Sequence, residues 1–203
     1  ASVSEVAHQT STSTEDANRA VAEAQRSVAI MRNLGDAASR IGEVVGLLEM
    51  VHDHGDILNL FSLASRLRLE FGHAIIAVKA AELLGLAVTP EQEVHLTALG
   101  RAFVASEPEE RKEIFQSQLA KIPTFCFVID KLRRAPHRRL PAEVVEEEFV
   151  LHLPEEPPHR LLRLVIAWGR YAEILGYSSR THELYLKPER AARSAAAGRG
   201  ANG

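Results

Sequence analysis

The sequence predicts a mainly α-helical protein with short β-hairpins, in which two copies of one unit follow a long N-terminal helix. Three observations carry that prediction: a block of residues near position 81 that recurs near 172, apolar stripes at helical spacing punctuated by Gly and Pro, and a heptad-spaced run at the start of the chain. Among 203 residues, 46% are hydrophobic and 25% charged, so the chain is long and apolar enough to bury a core.

From Val3 to Leu48, small or apolar residues fall at alternating steps of three and four, including Val3, Val6, Ala17, Ala24, Met31, Leu34, Ile41 and Leu48. That is the register of a coiled coil. Its first half offers mostly Ala, Ser and Thr, which bury little, so a partner helix is needed to hold it. Ser13 or Thr14 is the expected N-cap of a helix starting near Glu15.

The repeat pairs Ala81-Glu-Leu-Leu-Gly-Leu86 with Ala172-Glu-Ile-Leu-Gly-Tyr177, and Glu93-Val-His-Leu96 with Glu183-Leu-Tyr-Leu186. Each copy reads as a helix closed by a C-cap glycine, Gly85 or Gly176, and followed by a short alternating strand. Two further helical patterns precede each block. The order helix, helix, helix, β-hairpin is that of a winged helix, so tandem winged-helix-like units are expected at 38–106 and 107–186, behind the heptad helix of 1–37.

In the first unit the expected helices cover 38–54, 57–68 and 71–84. The second of these turns Leu60, Phe61, Leu63, Ala64 and Leu67 inward, and the third turns Ile75, Val78 and Leu83. Pro90 marks the hairpin tip before Val94, Leu96 and Leu99. In the second unit, 109–121 forms a helix that Pro123 interrupts, 124–134 continues as another, and 143–151 follows. Pro157 or Pro158 opens a last helix through Leu175, and Ser178, Ser179 and Arg180 turn the final hairpin. The tail 187–203, rich in Ala, Gly and Arg, has too little apolar content to pack and is expected to be disordered.

A net charge of −3 provides no overall positive field for polyanions, so any such contact needs a local patch. The lone Cys126 excludes an internal disulfide and a thiolate metal cluster, and its place in Phe125-Cys-Phe-Val-Ile129 predicts a buried, inert thiol. No run approaches the roughly 18 apolar residues of a membrane span, and the N-terminus lacks a signal-peptide centre, so a cytoplasmic protein without membrane insertion is expected. The chain begins at Ala1 rather than Met, as a fragment of something longer would.

His52-Asp-His54 places two ligand types on different sides of a helix with no third at matching spacing, and Glu146, Glu147 and Glu148 read as a solvated face. No nucleophilic constellation stands out among nine histidines, so neither an enzyme nor a cofactor is expected. Lys131, Arg133, Arg134, His137, Arg138 and Arg139 form the one dense basic cluster, and with Arg170 they are the candidate contacts for an anion or a partner, against the plainer reading of a solvated loop. Trp168 shares a helical face with Leu161, Leu164, Ala172 and Leu175 and is expected in the core, with Arg170 on another side.

Ala1-Ser-Val-Ser-Glu-Val-Ala-His-Gln-Thr-Ser, Arg19-Ala-Val-Ala-Glu-Ala and Ala38-Ser-Arg-Ile-Gly-Glu-Val-Val resemble the cytoplasmic signalling helices of methyl-accepting chemotaxis receptors. The likeness ends near Val45, before any hairpin tip, and a generic alanine-rich helix stands beside it as the alternative. Leu83-Leu-Gly-Leu-Ala87, Leu96-Thr-Ala-Leu-Gly-Arg-Ala-Phe103, Glu110-Arg-Lys-Glu-Ile-Phe115, His137-Arg-Arg-Leu-Pro141 and Val165-Ile-Ala-Trp-Gly-Arg-Tyr-Ala-Glu-Ile-Leu175 follow in order over roughly 46–186. With these the sequence resembles the AAA-associated C-terminal domain of nitrate, sulfonate and taurine-type ABC transporter ATP-binding proteins. No Gly-x-x-x-x-Gly-Lys-Ser/Thr phosphate loop occurs, so the resemblance implies a non-catalytic regulatory or accessory module. Its expected partners are an ABC importer component or a second copy bound through the N-terminal helix. The rival readings are a winged-helix transcriptional regulator and a chemoreceptor-like signalling fragment. Against sequence-specific DNA binding, the first presumptive recognition helix begins Glu70-Phe-Gly-His-Ala-Ile-Ile, without base-reading side chains, while the second offers only His159, Arg160 and Arg163.

Overall fold

The computed structural model describes residues 41–152 and 157–188. The heptad seam and receptor-like segment, up to residue 40, and the tail from 189 lie outside the described residues. Helix α1 (Ile41–Asp53) buries Val44, Leu47, Leu48 and Val51 along one stripe. After a turn at Gly55 and Asp56, both with positive φ, comes β1 (Ile57–Asn59), then α2 (Leu60–Leu67) and α3 (Phe71–Leu83). Strands β2 (Ala87–Val88) and β3 (Glu93–Leu96) complete the first unit, joined through Pro90–Gln92. Helices α4 (Ala98–Ala105) and α5 (Pro108–Leu119) lead into the second.

That second unit runs α6 (Pro123–Arg134), β4 (Arg139–Pro141), α7 (Ala142–His152), α8 (Pro158–Tyr171), β5 (Leu175–Ser178) and β6 (Glu183–Leu186). Both units therefore follow helix, strand, helix, helix, strand, strand. Each folds its strands into an antiparallel sheet with the late strand in the middle, in the orders β1-β3-β2 and β4-β6-β5. The registers superpose: Leu58 faces Val94 as Leu140 faces Leu184, and Ala87 faces Leu96 as Leu175 faces Leu186. The molecule is mainly helical, with two small sheets sharing one continuous hydrophobic core.

The structure corrects several sequence expectations. Residues 57–59 and 139–141 are strands rather than helix or loop, because each has a β3 or β6 edge on which to satisfy its backbone groups. With helix α2 starting only at Leu60, capped by the Asn59 side chain accepting from the Phe61 N–H at 3.0 Å, Phe61 falls off the 60-63-64-67 stripe. It is 58% exposed and stacks at 4.7 Å on Phe71. On α3 the buried stripe is Ala74, Ala77, Val78, Ala80 and Ala81, while Ile75 and Leu83 are half-buried.

Gly85 closes α3 in the left-handed region at φ 68°, but Gly176 does not close α8, whose left-handed residue is Glu173 at φ 57°. The recurring Ala-Glu-x-Leu-Gly block is thus three residues out of structural register: Gly85 corresponds to Glu173, and Leu86 to Ile174. Gly176 lies in β5 because the Tyr185 ring occupies the space a Cβ would need. Helix α8 ends at Tyr171 rather than at Leu175, and Lys187, assigned from sequence to the tail, donates its N–H to the Ile174 carbonyl at 2.9 Å. Cys126 is half-buried, not buried, with its thiol donating to the Ala120 carbonyl at 3.0 Å.

Trp168 is fully buried, stacked on Phe125 at 6.1 Å and edge-on to Phe115 at 5.5 Å. Phe115 belongs to α5, and this helix joins the two units. Arg111 of α5 pairs with Glu49 of α1 at 2.7 Å and donates to the Val104 and Ser106 carbonyls at the end of α4. The next residue, Lys112, contacts Glu109 at 2.7 Å and Glu173 of the second unit at 3.2 Å.

Candidate functional site

The basic cluster grows from the end of α6. Cations in a last helical turn complement the partial negative charge of the unsatisfied carbonyls, which is where Lys131, Arg133 and Arg134 stand. Pro136 then starts a single tight turn in which His137 and Arg138 both take left-handed backbone angles, at φ 54° and 56°, before β4 begins at Arg139.

That backbone fans the side chains out instead of gathering them. The Lys131 ammonium pairs with Glu148 at 2.6 Å over the Phe127 ring, and Arg139 pairs with Glu183 at 3.5 Å with its guanidinium over Tyr185. Arg134 joins Lys131 at the rim of an apolar recess of about 220 Å³ floored by Val128, Leu140 and Val145. His137 is exposed, and Arg170 is exposed on α8, away from both cavities.

Arg133 and Arg138 alone turn to a second cleft, of about 390 Å³, between α5, α6 and the end of β6. Its floor is Ile129, Ile174 and Leu186, and a third cation, Lys187, closes the ring. Arg133 has Asp130 at 3.3 Å, but Arg138 and Lys187 have no ion-pair partner among the described residues. Glu173, on the same rim, is engaged by Lys112. An apolar floor under two cations that have no ion-pair partner among the described residues suits an occupant with an apolar face and a negative charge. Sequence reasoning missed Lys187 because it stood at the start of a polar tail. The signal available was its position directly after the last strand.

Two titrating groups mark the junction beside this cleft. Hydrogen bonds to Glu109 and Glu173 hold the Lys112 ammonium and raise its pKa, while burial raises that of the Tyr171 phenol, which lies edge-on to Phe115 at 4.9 Å. The other sequence candidates have separate engagements. His52 Nδ1 is bonded to Asp56 at 2.7 Å and His54 Nδ1 to the Met50 carbonyl at 2.8 Å. Among the described residues no group of three or more His, Cys, Asp or Glu could hold a metal ion. Nor, among them, is any helix long and apolar enough to cross a membrane.

Fold and cleft together define a mainly helical module of two repeated units, with its cationic opening at the end of the second. The family model described as the C-terminal AAA-associated domain matches residues 61–178, more than half of the chain and parts of both units. The chain belongs to that family. No curated protein and no solved structure matches it.

Proposed function

We propose that this chain is a non-catalytic regulatory module of an ABC importer ATPase of the nitrate, sulfonate or taurine type, acting in the cytoplasm by contact with a partner. The observation that carries this reading is the family match over residues 61–178, which makes the chain an accessory module linked to an ATPase. We further read its two units as tandem winged helices, on the strength of their common element order and sheet order. The N-terminal heptad segment serves self-association.

Co-expression with an ABC importer ATPase of the nitrate, sulfonate or taurine type from the same source tests the proposal. Co-elution of the two, with an ATPase rate that changes when the chain is added, is the expected result. Separate elution with an unchanged rate overturns it.

The winged order also favours a second reading, a DNA-binding regulator. Against it, the first unit presents Phe71, Gly72 and His73 at the start of α3 and Glu91 and Glu93 at its hairpin, none suited to a phosphate backbone or a guanine edge. A binding-site selection at physiological salt that returned a defined motif would establish the regulator in place of the importer module.

A further inference from the structure

We infer that the cationic cleft of the second unit is a docking groove for an acidic, apolar-faced helix of a partner protein. The strand register that the two units share shows what such a groove holds. In the first unit the chain leaving the central strand at Thr97 donates its N–H to the Leu86 carbonyl at 3.0 Å and continues as α4. That helix lies so close that a Cβ on Gly100 would run into the Leu86 carbonyl oxygen. Its Arg101 donates to the Leu96 carbonyl at 3.0 Å and reaches Asp56 at 3.8 Å.

In the second unit the equivalent donation is from Lys187 to Ile174, and the residues equivalent to those beneath α4 are the ones that line the cleft. Ile174 stands for Leu86, Leu186 for Leu96 and Arg138 for Asp56, and the matching buried stripes of α1 and α6 set Ile129 against Leu48. The apolar floor is kept and the charge is reversed, since Arg138 takes the place of the carboxylate that binds Arg101. A helix docked as α4 docks therefore needs an acid where α4 carries Arg101.

The chain's own continuation is a poor match. Residues 189–203 carry three cations, Arg190, Arg193 and Arg199, against one acid, Glu189, and so bring net positive charge to a groove rimmed by Arg133, Arg138 and Lys187. They also contain no apolar side chain larger than alanine to replace Leu99 and Phe103. The occupant is accordingly a separate acidic helix. This inference rests on the accessory-module reading only for the identity of the partner.

The probe is a fluorescein-labelled synthetic peptide of residues 97–107 carrying R101E, titrated with the full chain by anisotropy beside the same peptide with its native arginine. The expected result is that the R101E peptide binds at least about tenfold more tightly than the native one at low salt. In a R133E/R138E chain, checked by circular dichroism for an unchanged fold, the preference reverses. Equal binding of the two peptides, or no binding of the R101E peptide up to about 1 mM, overturns the inference. So does binding seen only when the chain is ended at Pro188, which assigns the groove to the tail. Binding that reverses as expected alongside failure to co-elute with the ATPase leaves the groove standing and removes only the importer reading.

Discussion

At the scale of single residues, Trp168 and Gly100 are fixed by opposite demands of the same close packing. Trp168 fills space between α5, α6 and α8, so Trp168→Ala leaves a cavity and is expected to cost about 3–5 kcal/mol in urea unfolding. Arg170→Ala, on the exposed side of the same helix, should shift stability by less than about 0.5 kcal/mol. Gly100→Ala inverts the usual preference. Alanine in a helix is favoured over glycine by about 1 kcal/mol, yet here its Cβ meets a backbone carbonyl that holds the Thr97 N–H. A net loss of about 2 kcal/mol is expected from the same measurement, and a gain in stability would show that α4 can lift from Leu86 without penalty. Trp168 was legible in the sequence because it shares an apolar helical stripe with Leu161, Leu164 and Ala172. Gly100 was not, because the atom it avoids is a backbone oxygen contributed by a distant turn.

Among the elements, α5 is the one whose neighbouring cations point to different units, Arg111 to Glu49 and Lys112 to Glu173. The Lys112 pKa is raised above 10.5 in the folded chain, chiefly by its hydrogen bond to Glu109 and then by that to Glu173. The folded state therefore holds this proton more tightly than the unfolded state does. Its stabilising contribution is complete below pH 10.5 and is lost as pH rises through the folded value. Urea midpoints measured from about pH 9 to about pH 12 should fall more steeply for the parent chain than for Lys112→Gln. Parallel curves would show that the contact contributes nothing. The helix itself was readable from Pro108 and the acidic first turn, whereas the division of Arg111 and Lys112 between units was not, since both partners are remote in sequence.

For the whole molecule, the hydrophobic core of the described residues continues without a break through both units. Removing residues 1–36 should accordingly leave circular dichroism of the tandem units and their melting temperature close to those of the parent. Light scattering should at the same time show the mass falling from an oligomer to a monomer, because the heptad stripe needs a partner helix. An unchanged oligomer would move the self-contact onto the repeated units, where the stacked Phe61 and Phe71 pair of the first unit and Val150 and Leu151 of the second are exposed apolar side chains.

The sequence by itself determined the helical class, the two-unit repeat, the hairpin at Pro90, the burial of Trp168 and the family. All of these rest on local periodicity, turn chemistry or a recurring string of residues. Tertiary structure decided the rest. The three-residue strands at 57–59 and 139–141 are too short to show a period and exist only because an edge of β3 or β6 is there to pair with. The same is true of the candidate site: six basic residues within 131–139 were spread over different faces, Lys131, Arg133 and Arg134 by the periodicity of α6 and the later ones by the left-handed turn at His137 and Arg138. The cleft was then completed by Lys187, brought back by a single backbone hydrogen bond to a helix end 13 residues earlier in the chain.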